Sequence, residues 1–291
     1  MQIVTHIGAH CTDGEKIIKS LLRNSDVLAN NGVAVPGHGR YRRLIRETIQ
    51  SLGGMAPAAG ARDVLLDAIL DDSETARLVM SNPAFICTPT RVFEGGIFYE
   101  PVTAKVQALA SLFPDDELEI LISLRNPATF IPAVFAQART RGFLDFMGGL
   151  DPREVLWSDV IERIRRAAPS IKLTVWCNED TPLIWSTLLR RFTRTATDLP
   201  LIGDYALLST IMSTEGMGRF ESYLTTHPPQ SDLQLRRIIA AFLDKYALAD
   251  EIEEEVDLPG WDMALIEDLI NRYENDILEI AKRDDIDFVA A

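Results

Sequence analysis

HIGAHCTDGEKI, residues 6–17, is the stretch around which the rest of the chain is organised. The nearly continuous apolar run QIVTHIG, residues 2–8, leads into it, as expected of a strand buried in a parallel sheet. A segment with helical spacing of apolar residues begins at Glu15 and leads out of it. The residues between are typical of a tight strand-to-helix turn that directs backbone N–H groups at one spot. Such a turn suits a phosphate or a sulfate.

Outward from this turn, strand-like apolar runs alternate with amphipathic segments. The clearest strand is ELEILISLRNP, residues 117–127, followed by a helix predicted from about Ala128 to Arg139. A further strand, IKLTVWCNED, ends in Glu179-Asp180, and Pro182 then begins another helix. Strands that alternate with helices of this length indicate βαβ units, so we predict an α/β fold with a doubly wound, mostly parallel sheet.

The predicted organisation is one α/β domain over residues 1–200 and a helical extension over residues 201–291 packed on the same domain. The extension is predicted to contain helices only, chiefly two long ones at residues 232–255 and 263–284. Residues 86–101, with their Gly and Pro, are predicted to form a loop over the sheet edge.

Composition excludes several classes of protein. No apolar run reaches the length of a membrane span, and no signal peptide precedes the first strand, so we expect a cytoplasmic protein. The three cysteines form no CxxC pair, and no metal site is expected. The net charge of −14 argues against a nucleic-acid partner, because phosphate contacts need an excess of Lys and Arg.

Three polar groups follow strands in this sequence: the loop His10–Lys16, Arg125-Asn126 and Glu179-Asp180. Ligands of open parallel sheets bind beyond the carboxyl ends of the strands, so we expect these groups to converge on one site. The loop does not match the Walker A pattern, because the spacing from Gly8 to Gly14 is too long and no hydroxyl follows Lys16. Nucleoside triphosphatase chemistry is therefore disfavoured.

Two stretches carry a resemblance to a known family. HIGAHCTDGEKI with the following LLRNSDVLANNGVAVP resembles the 5′-phosphosulfate loop of bacterial sulfotransferase-like proteins, which typically read HIGxHKTGTT before a helix and a Gly-x-x-x-Pro strand. SLRNPATFIPAVFAQ, residues 123–137, resembles their 3′-phosphate element, in which Arg-Asn/Asp-Pro is followed by a serine, an aromatic residue and a Gln. The resemblance covers about residues 1–185. It implies a P-loop-like α/β fold that uses 3′-phosphoadenosine 5′-phosphosulfate without a metal.

Carried over position by position, the resemblance places the 5′-phosphosulfate on the loop and the 3′-phosphate on Arg125, whose planar fork suits an anion. Lys16, one helical turn further on, is a candidate cation to compensate for the family's loop lysine, which this sequence lacks. The implied donor-binding residues are Ala9, His10, Cys11, Thr12, Asp13, Gly14, Glu15, Lys16 and Arg125.

The loop also departs from the family pattern. Cys11 replaces the lysine, Asp13-Gly14-Glu15 replaces Gly-Thr-Thr, and Ala133 replaces the serine. The two added carboxylates are expected to repel a phosphosulfate.

Several residues keep two interpretations at this point. His10 and Glu179 are the candidate general bases, but His10 also fits a structural turn residue and Glu179 a helix cap before Pro182. Cys11 is either a reactive thiol or an inert small residue. Arg125 is either an anion ligand or a salt-bridge partner of Glu179 or Asp180. The basic patch at residues 38–46 is either an anion-binding surface or a solvated helix face.

The function expected from the resemblance is transfer of a sulfuryl group from 3′-phosphoadenosine 5′-phosphosulfate to a hydroxyl or amine of a small molecule or glycan. Two alternatives stay open. One is a catalytically degenerate, sulfotransferase-like binding protein, and the other is a glycan-modifying enzyme with a different activated donor. The sequence does not decide whether the chain is an enzyme.

Overall fold

A single parallel sheet organises the described part of the chain, and its strand order is β2-β3-β1-β4-β5-β6. The structure is a computed structural model that describes residues 1–71, 74–140, 142–196, 199–252 and 258–291. The strands are β1 (Gln2–His6), β2 (Val33–Ala34), β3 (Arg77–Ser81), β4 (Glu117–Leu124), β5 (Lys172–Cys177) and β6 (Asp287–Phe288).

The helices connect these strands and continue beyond β5. They are α1 (Lys16–Leu22), α2 (Ser25–Ala29), α3 (His38–Leu52), α4 (Ala61–Ile69), α5 (Val102–Leu112), α6 (Pro127–Ala138), α7 (Phe143–Met147), α8 (Trp157–Ala167), α9 (Thr181–Thr193), α10 (Leu208–Ile211), α11 (Thr214–Thr226), α12 (Asp232–Tyr246), α13 (Ala249–Ile252) and α14 (Met263–Ala281).

Both faces of the sheet are buried, because alternate strand residues enter two different cores. Val4 and Leu121 pack with α1 and α9 on one face. Ile3 and Ile120 pack with α3, α5, α6 and α8 on the other face. A sheet covered on both faces needs apolar residues at successive positions, which explains the continuous apolar runs in the sequence. The prediction of a mostly parallel α/β fold is confirmed.

The strand order contains a topological switch point. From β1 the chain crosses to β2 on one side of the sheet, and from β4 it crosses to β5 on the other side. Ligands of such sheets bind in the crevice outside the carboxyl ends of the two strands where the direction reverses. This crevice lies between His6, the last residue of β1, and Leu124, the last residue of β4.

Two predictions about secondary structure are wrong, and a third is incomplete. Residues 86–101 form an irregular segment with two short 3-10 helices, as predicted of a loop, but Phe93 and Tyr99 within it are fully buried in the core. Residues 201–291 are not only helical, because β6 pairs with β5 in the sheet. The segment after the loop forms α1 and α2 rather than one helix.

The C-terminal region has its own small core. Leu208, Met212, Phe220 and Ile239 from α10, α11 and α12 are buried together. The helix predicted over residues 232–255 ends at Tyr246, and its last residues, 253–255, lie outside the described residues. Among the described residues, no helix is both long enough and apolar enough to cross a membrane.

Candidate functional site

The loop after β1 has a backbone that the sequence determines at Gly8. Its φ is +115°, and a Cβ atom there would lie 2.9 Å from the carbonyl oxygen of Pro83, so only glycine fits. Cys11, Gly14 and Glu15 have φ of 53°, 58° and 65°, in the left-handed region. These reversals turn the chain tightly between β1 and α1.

The N–H groups of the loop divide into two sets. Lys16 N–H donates to the Asp13 carbonyl, and Ile17 N–H donates to Asp13 Oδ2, both at 3.0 Å. Asp13 therefore satisfies two N–H groups at the start of α1. The N–H groups of residues 12–15 have no acceptor within the described residues. Consecutive N–H groups in such a turn form a concavity that suits an anion.

The second acidic residue of the loop, Glu15, forms an ion pair. Its Oε1 accepts a hydrogen bond from Arg42 Nη1. This hydrogen bond lowers the pKa of Glu15, so the carboxylate stays charged and balanced. The predicted repulsion between the loop and an anionic donor is thus reduced at Glu15, because Arg42 balances its charge.

Arg125 connects the end of β4 to the loop. Its side chain is buried, Nη1 donates to the carbonyl oxygen of Cys11, and Nε donates to Thr129 Oγ1 at 3.2 Å. The structure therefore brings together the loop and the Arg-Asn-Pro element, which are 114 residues apart in the sequence. Their contact lies in the crevice between β1 and β4.

One face of α6 points towards the same crevice. Thr129 contacts Arg125, and Gln137 Oε1 accepts a hydrogen bond from Cys11 Sγ at 3.2 Å. Residues four apart in a helix share a face, so Ala133 lies between these two contacts. The position that carries a serine in the resembled family therefore points to this site, without its hydroxyl.

His10 has the contacts of a structural residue. Its ring is buried, with Nε2 at 3.0 Å from the Cys87 carbonyl oxygen and Nδ1 at 2.7 Å from Tyr99 Oη. A carbonyl only accepts, so Nε2 carries the proton and Nδ1 accepts from the Tyr99 hydroxyl. Burial lowers the pKa of His10 to about 4. These contacts favour the structural role over that of a general base.

Stability is expected to depend on pH through His10. Between pH 6.5 and about 4, the unfolded chain binds a proton on this imidazole that the folded chain does not bind. The contribution to the free energy of unfolding is therefore unchanged above pH 6.5 and falls by roughly 3 kcal/mol as the pH approaches 4. Denaturant titrations of wild type and His10→Gln across this range measure the difference, which should shrink with falling pH. His38→Gln, at an exposed histidine, is the control and should keep the wild-type slope. A His10→Gln profile parallel to that of wild type contradicts the prediction.

Glu179 lies beside Arg125 rather than capping α9. Its Oε1 accepts from Asn126 N–H at 2.8 Å, and its Oε2 accepts from the Tyr273 hydroxyl at 2.9 Å. The residue keeps solvent-accessible surface, while desolvation of its carboxylate raises the pKa of Glu179. Asp180 is the N-cap residue of α9, but its side chain makes no capping hydrogen bond. The cap interpretation is therefore wrong, and Glu179 stays a candidate base.

The C-terminal helix α14 supports this edge of the sheet. Tyr273 reaches Glu179, and Asp276 Oδ2 accepts from Trp157 N–H at 2.6 Å at the start of α8. The Trp157 indole then donates to the Arg125 carbonyl at 2.9 Å. The sequence does not predict the contacts of Tyr273 and Asp276, because their partners, Glu179 and Trp157, are 94 and 119 residues away. Their helical spacing on α14 was the only signal.

The basic patch at the start of α3 splits into two parts. Arg40 forms two hydrogen bonds with Asp71, at 2.6 and 2.7 Å, and Arg43 pairs with Glu47 on the exposed helix face. Of these three arginines, Arg42 turns towards the loop and contacts Glu15. The solvated-face interpretation therefore fits Arg43, while Arg42 belongs to the candidate site.

The described residues contain no cluster of three or more His, Cys, Asp or Glu side chains arranged to hold a metal ion. No family model, curated protein or solved structure matches this chain.

Proposed function

We propose that this chain binds 3′-phosphoadenosine 5′-phosphosulfate in the crevice between β1 and β4 and transfers its sulfuryl group to a hydroxyl or amine. The observation that carries the proposal is the hydrogen bond from the Arg125 guanidinium to the Cys11 carbonyl. It unites, at the switch point of the sheet, the two sequence elements that resemble the two phosphate-binding elements of sulfotransferases. A P-loop-like relationship is part of this proposal.

The residues of the crevice fit a donor with phosphate at both ends. The N–H groups of residues 12–15 suit the 5′ end, and Lys16 adds an exposed cation with no acidic partner within the described residues. Arg125 suits the 3′-phosphate, because a guanidinium presents a planar pair of donors to an anion. Lys16 and Arg125 thus bring two cations to this edge of the sheet, in a chain whose net charge is −14.

Glu179 is the proposed general base. Neighbouring strands are about 4.8 Å apart, so the end of β5 lies roughly 10 Å from the end of β1, which leaves room for an acceptor. The acceptor oxygen or nitrogen bonds to sulfur while the bond from sulfur to the bridging oxygen breaks, and Glu179 takes the acceptor's proton. The loop N–H groups stabilise the negative charge on the departing adenosine 3′,5′-bisphosphate.

A second candidate is a binding protein on the same scaffold that performs no transfer. Asp13 favours it, because its Oδ2 occupies the Ile17 N–H at the start of α1 and its charge lies at the loop. Cys11 also offers no positive charge to a leaving phosphate. An enzyme that uses another activated donor for glycans is separated from both by testing a panel of donors.

Calorimetry with adenosine 3′,5′-bisphosphate tests the donor site. We expect a dissociation constant below about 1 mM for wild type. Arg125→Gln should weaken binding roughly tenfold to a hundredfold, because a hydrogen bond to a charged group contributes about 1.5 to 3 kcal/mol. The same variant should leave the affinity for adenosine 5′-phosphate unchanged, since that ligand lacks the 3′-phosphate.

The matched control for this experiment is Arg166→Gln, which removes an exposed arginine paired with Glu162. It should bind like wild type. Absence of binding at millimolar ligand in the wild-type protein overturns both the donor site and the sulfotransferase proposal. Equal loss of both nucleotides in Arg125→Gln would assign this arginine a structural role only.

A further inference from the structure

Arg42 is fixed at the side of the loop opposite to Arg125. Its Nε donates to the carbonyl oxygen of Ser81, at the end of β3, at 2.8 Å. Its Nη1 donates to Glu15 in the loop. Two separate acceptors thus hold the guanidinium plane, and only one-fifth of the side chain, 21%, is exposed. The loop therefore lies between two arginines, Arg42 on the β3 side and Arg125 on the β4 side.

The third nitrogen of Arg42, Nη2, is buried and has no hydrogen-bond partner among the described residues. A buried guanidinium nitrogen without an acceptor is costly, and such groups are normally satisfied. Two more buried atoms at the carboxyl ends of the strands also lack partners there, His6 Nε2 and Ser123 Oγ. His6 Nδ1 lies 3.0 Å from Ser81 Oγ, and Arg42 Nε donates to the carbonyl oxygen of the same serine, so the guanidinium lies close to the end of β1.

We propose that Arg42 is a donor-binding residue, and that its free Nη2 binds the 5′-phosphosulfate end of the nucleotide in place of the lysine that Cys11 replaces. This inference rests on the proposed function, because it assigns a contact within the same donor site. The cation comes from α3 instead of the loop, and Glu15 positions it. An arginine held in this way offers a nitrogen to a phosphate oxygen without losing its hydrogen bonds to Ser81 and Glu15.

Paired ligands test this contact separately from the donor site itself. Calorimetry with adenosine 3′-phosphate and with adenosine 3′,5′-bisphosphate gives the gain in affinity that the 5′-phosphate provides. We expect Arg42→Gln to reduce that gain at least tenfold and to leave the affinity for adenosine 3′-phosphate unchanged. Arg43→Gln is the matched control, because the neighbouring arginine lies on the exposed face of the same helix and pairs with Glu47. It should keep the wild-type gain.

Glu15→Gln gives a second, independent measurement that does not depend on the folding of the Arg42 variant. Glutamine keeps a side-chain oxygen that accepts from Arg42 Nη1, so Arg42 stays in position while the competing carboxylate charge is removed. Binding of the bisphosphate should therefore strengthen severalfold, and adenosine 3′-phosphate binding should be unchanged. An undiminished gain in Arg42→Gln, or a weaker bisphosphate affinity in Glu15→Gln, overturns the role of Arg42. Wild-type protein that binds neither nucleotide overturns the proposed function instead, so the two failures are distinct.

Discussion

Glu119→Gln is expected to lower the free energy of unfolding by about 3 to 5 kcal/mol, because it leaves a buried arginine without its counter-ion. Arg77 Nη2 lies 2.9 Å from Glu119 Oε2, and both side chains are at least nine-tenths buried, with 3% and 7% exposed. The more exposed Arg194 also contacts Glu119 at 3.2 Å. Unfolding in urea followed by fluorescence measures the effect.

The same cluster connects the sheet to α9, which explains the expected size of the loss. Arg77 Nε donates to the Phe192 carbonyl at 2.8 Å, and its Nη2 also donates to the Arg191 carbonyl at 3.1 Å. Arg77 thus satisfies carbonyl groups at the end of a helix while it pairs with β4. Without the Glu119 carboxylate, the Arg77 guanidinium is held less firmly at these two carbonyl groups.

Glu117→Gln is the matched control on the same strand. Glu117 is exposed and pairs with the exposed Lys172 at 3.2 Å, so this change should lower the free energy of unfolding far less than Glu119→Gln does. A double variant, Arg77→Met with Glu119→Leu, should lose less than the sum of the single changes, since the two charges interact directly. Equal effects of Glu117→Gln and Glu119→Gln would contradict the prediction.

The sequence was sufficient for the elements that are long and strongly patterned. The helix predicted from about Ala128 to Arg139 is α6, Pro127–Ala138, and the strand in residues 117–127 is β4, Glu117–Leu124. The strand β6 was missed because its two residues carry too little pattern to be recognised after a long helix. The burial of Phe93 and Tyr99 was not predicted, because the Gly and Pro residues around them indicate a loop. Packing of these aromatic rings in the core determines where the segment lies.

The candidate site shows the same limit. Strand ends predicted the convergence of the loop, Arg125 and Glu179, because parallel strands place their carboxyl ends at one edge. The partners of these residues were not predictable in the same way. Whether His10 faces solvent or Tyr99, and whether Arg42 faces solvent or Glu15, depends on packing between elements distant in sequence. A local pattern specifies which face of an element is apolar but not which polar groups meet across elements.

The variant Cys11→Lys/Asp13→Gly/Ala133→Ser is expected to bind adenosine 3′,5′-bisphosphate about a hundredfold more tightly than wild type, a gain of about 2.7 kcal/mol. The change Asp13→Gly frees the Ile17 N–H that Asp13 Oδ2 now occupies and removes a negative charge. The change Ala133→Ser adds a hydroxyl between Thr129 and Gln137, on the face of α6 that meets the crevice. Loss of the Asp13 cap should cost about 1 kcal/mol of stability. Calorimetry and thermal unfolding measure the two effects.

We propose that the lysine in this variant and Arg42 bind the same phosphate. The decisive comparison is therefore the effect of the lysine with and without Arg42. Cys11→Met/Asp13→Gly/Ala133→Ser, which has a side chain of similar length without the charge, isolates the contribution of the lysine. The affinity gained from the lysine should be small while Arg42 is present, because Arg42 already binds the phosphate. It should be about tenfold larger in an Arg42→Gln background, because the lysine then replaces the missing guanidinium. Equal gains in both backgrounds would mean that Arg42 does not replace the lysine. If the unchanged protein already binds as tightly as the triple variant, the loop does not need the family residues, and the binding-protein alternative loses its main support.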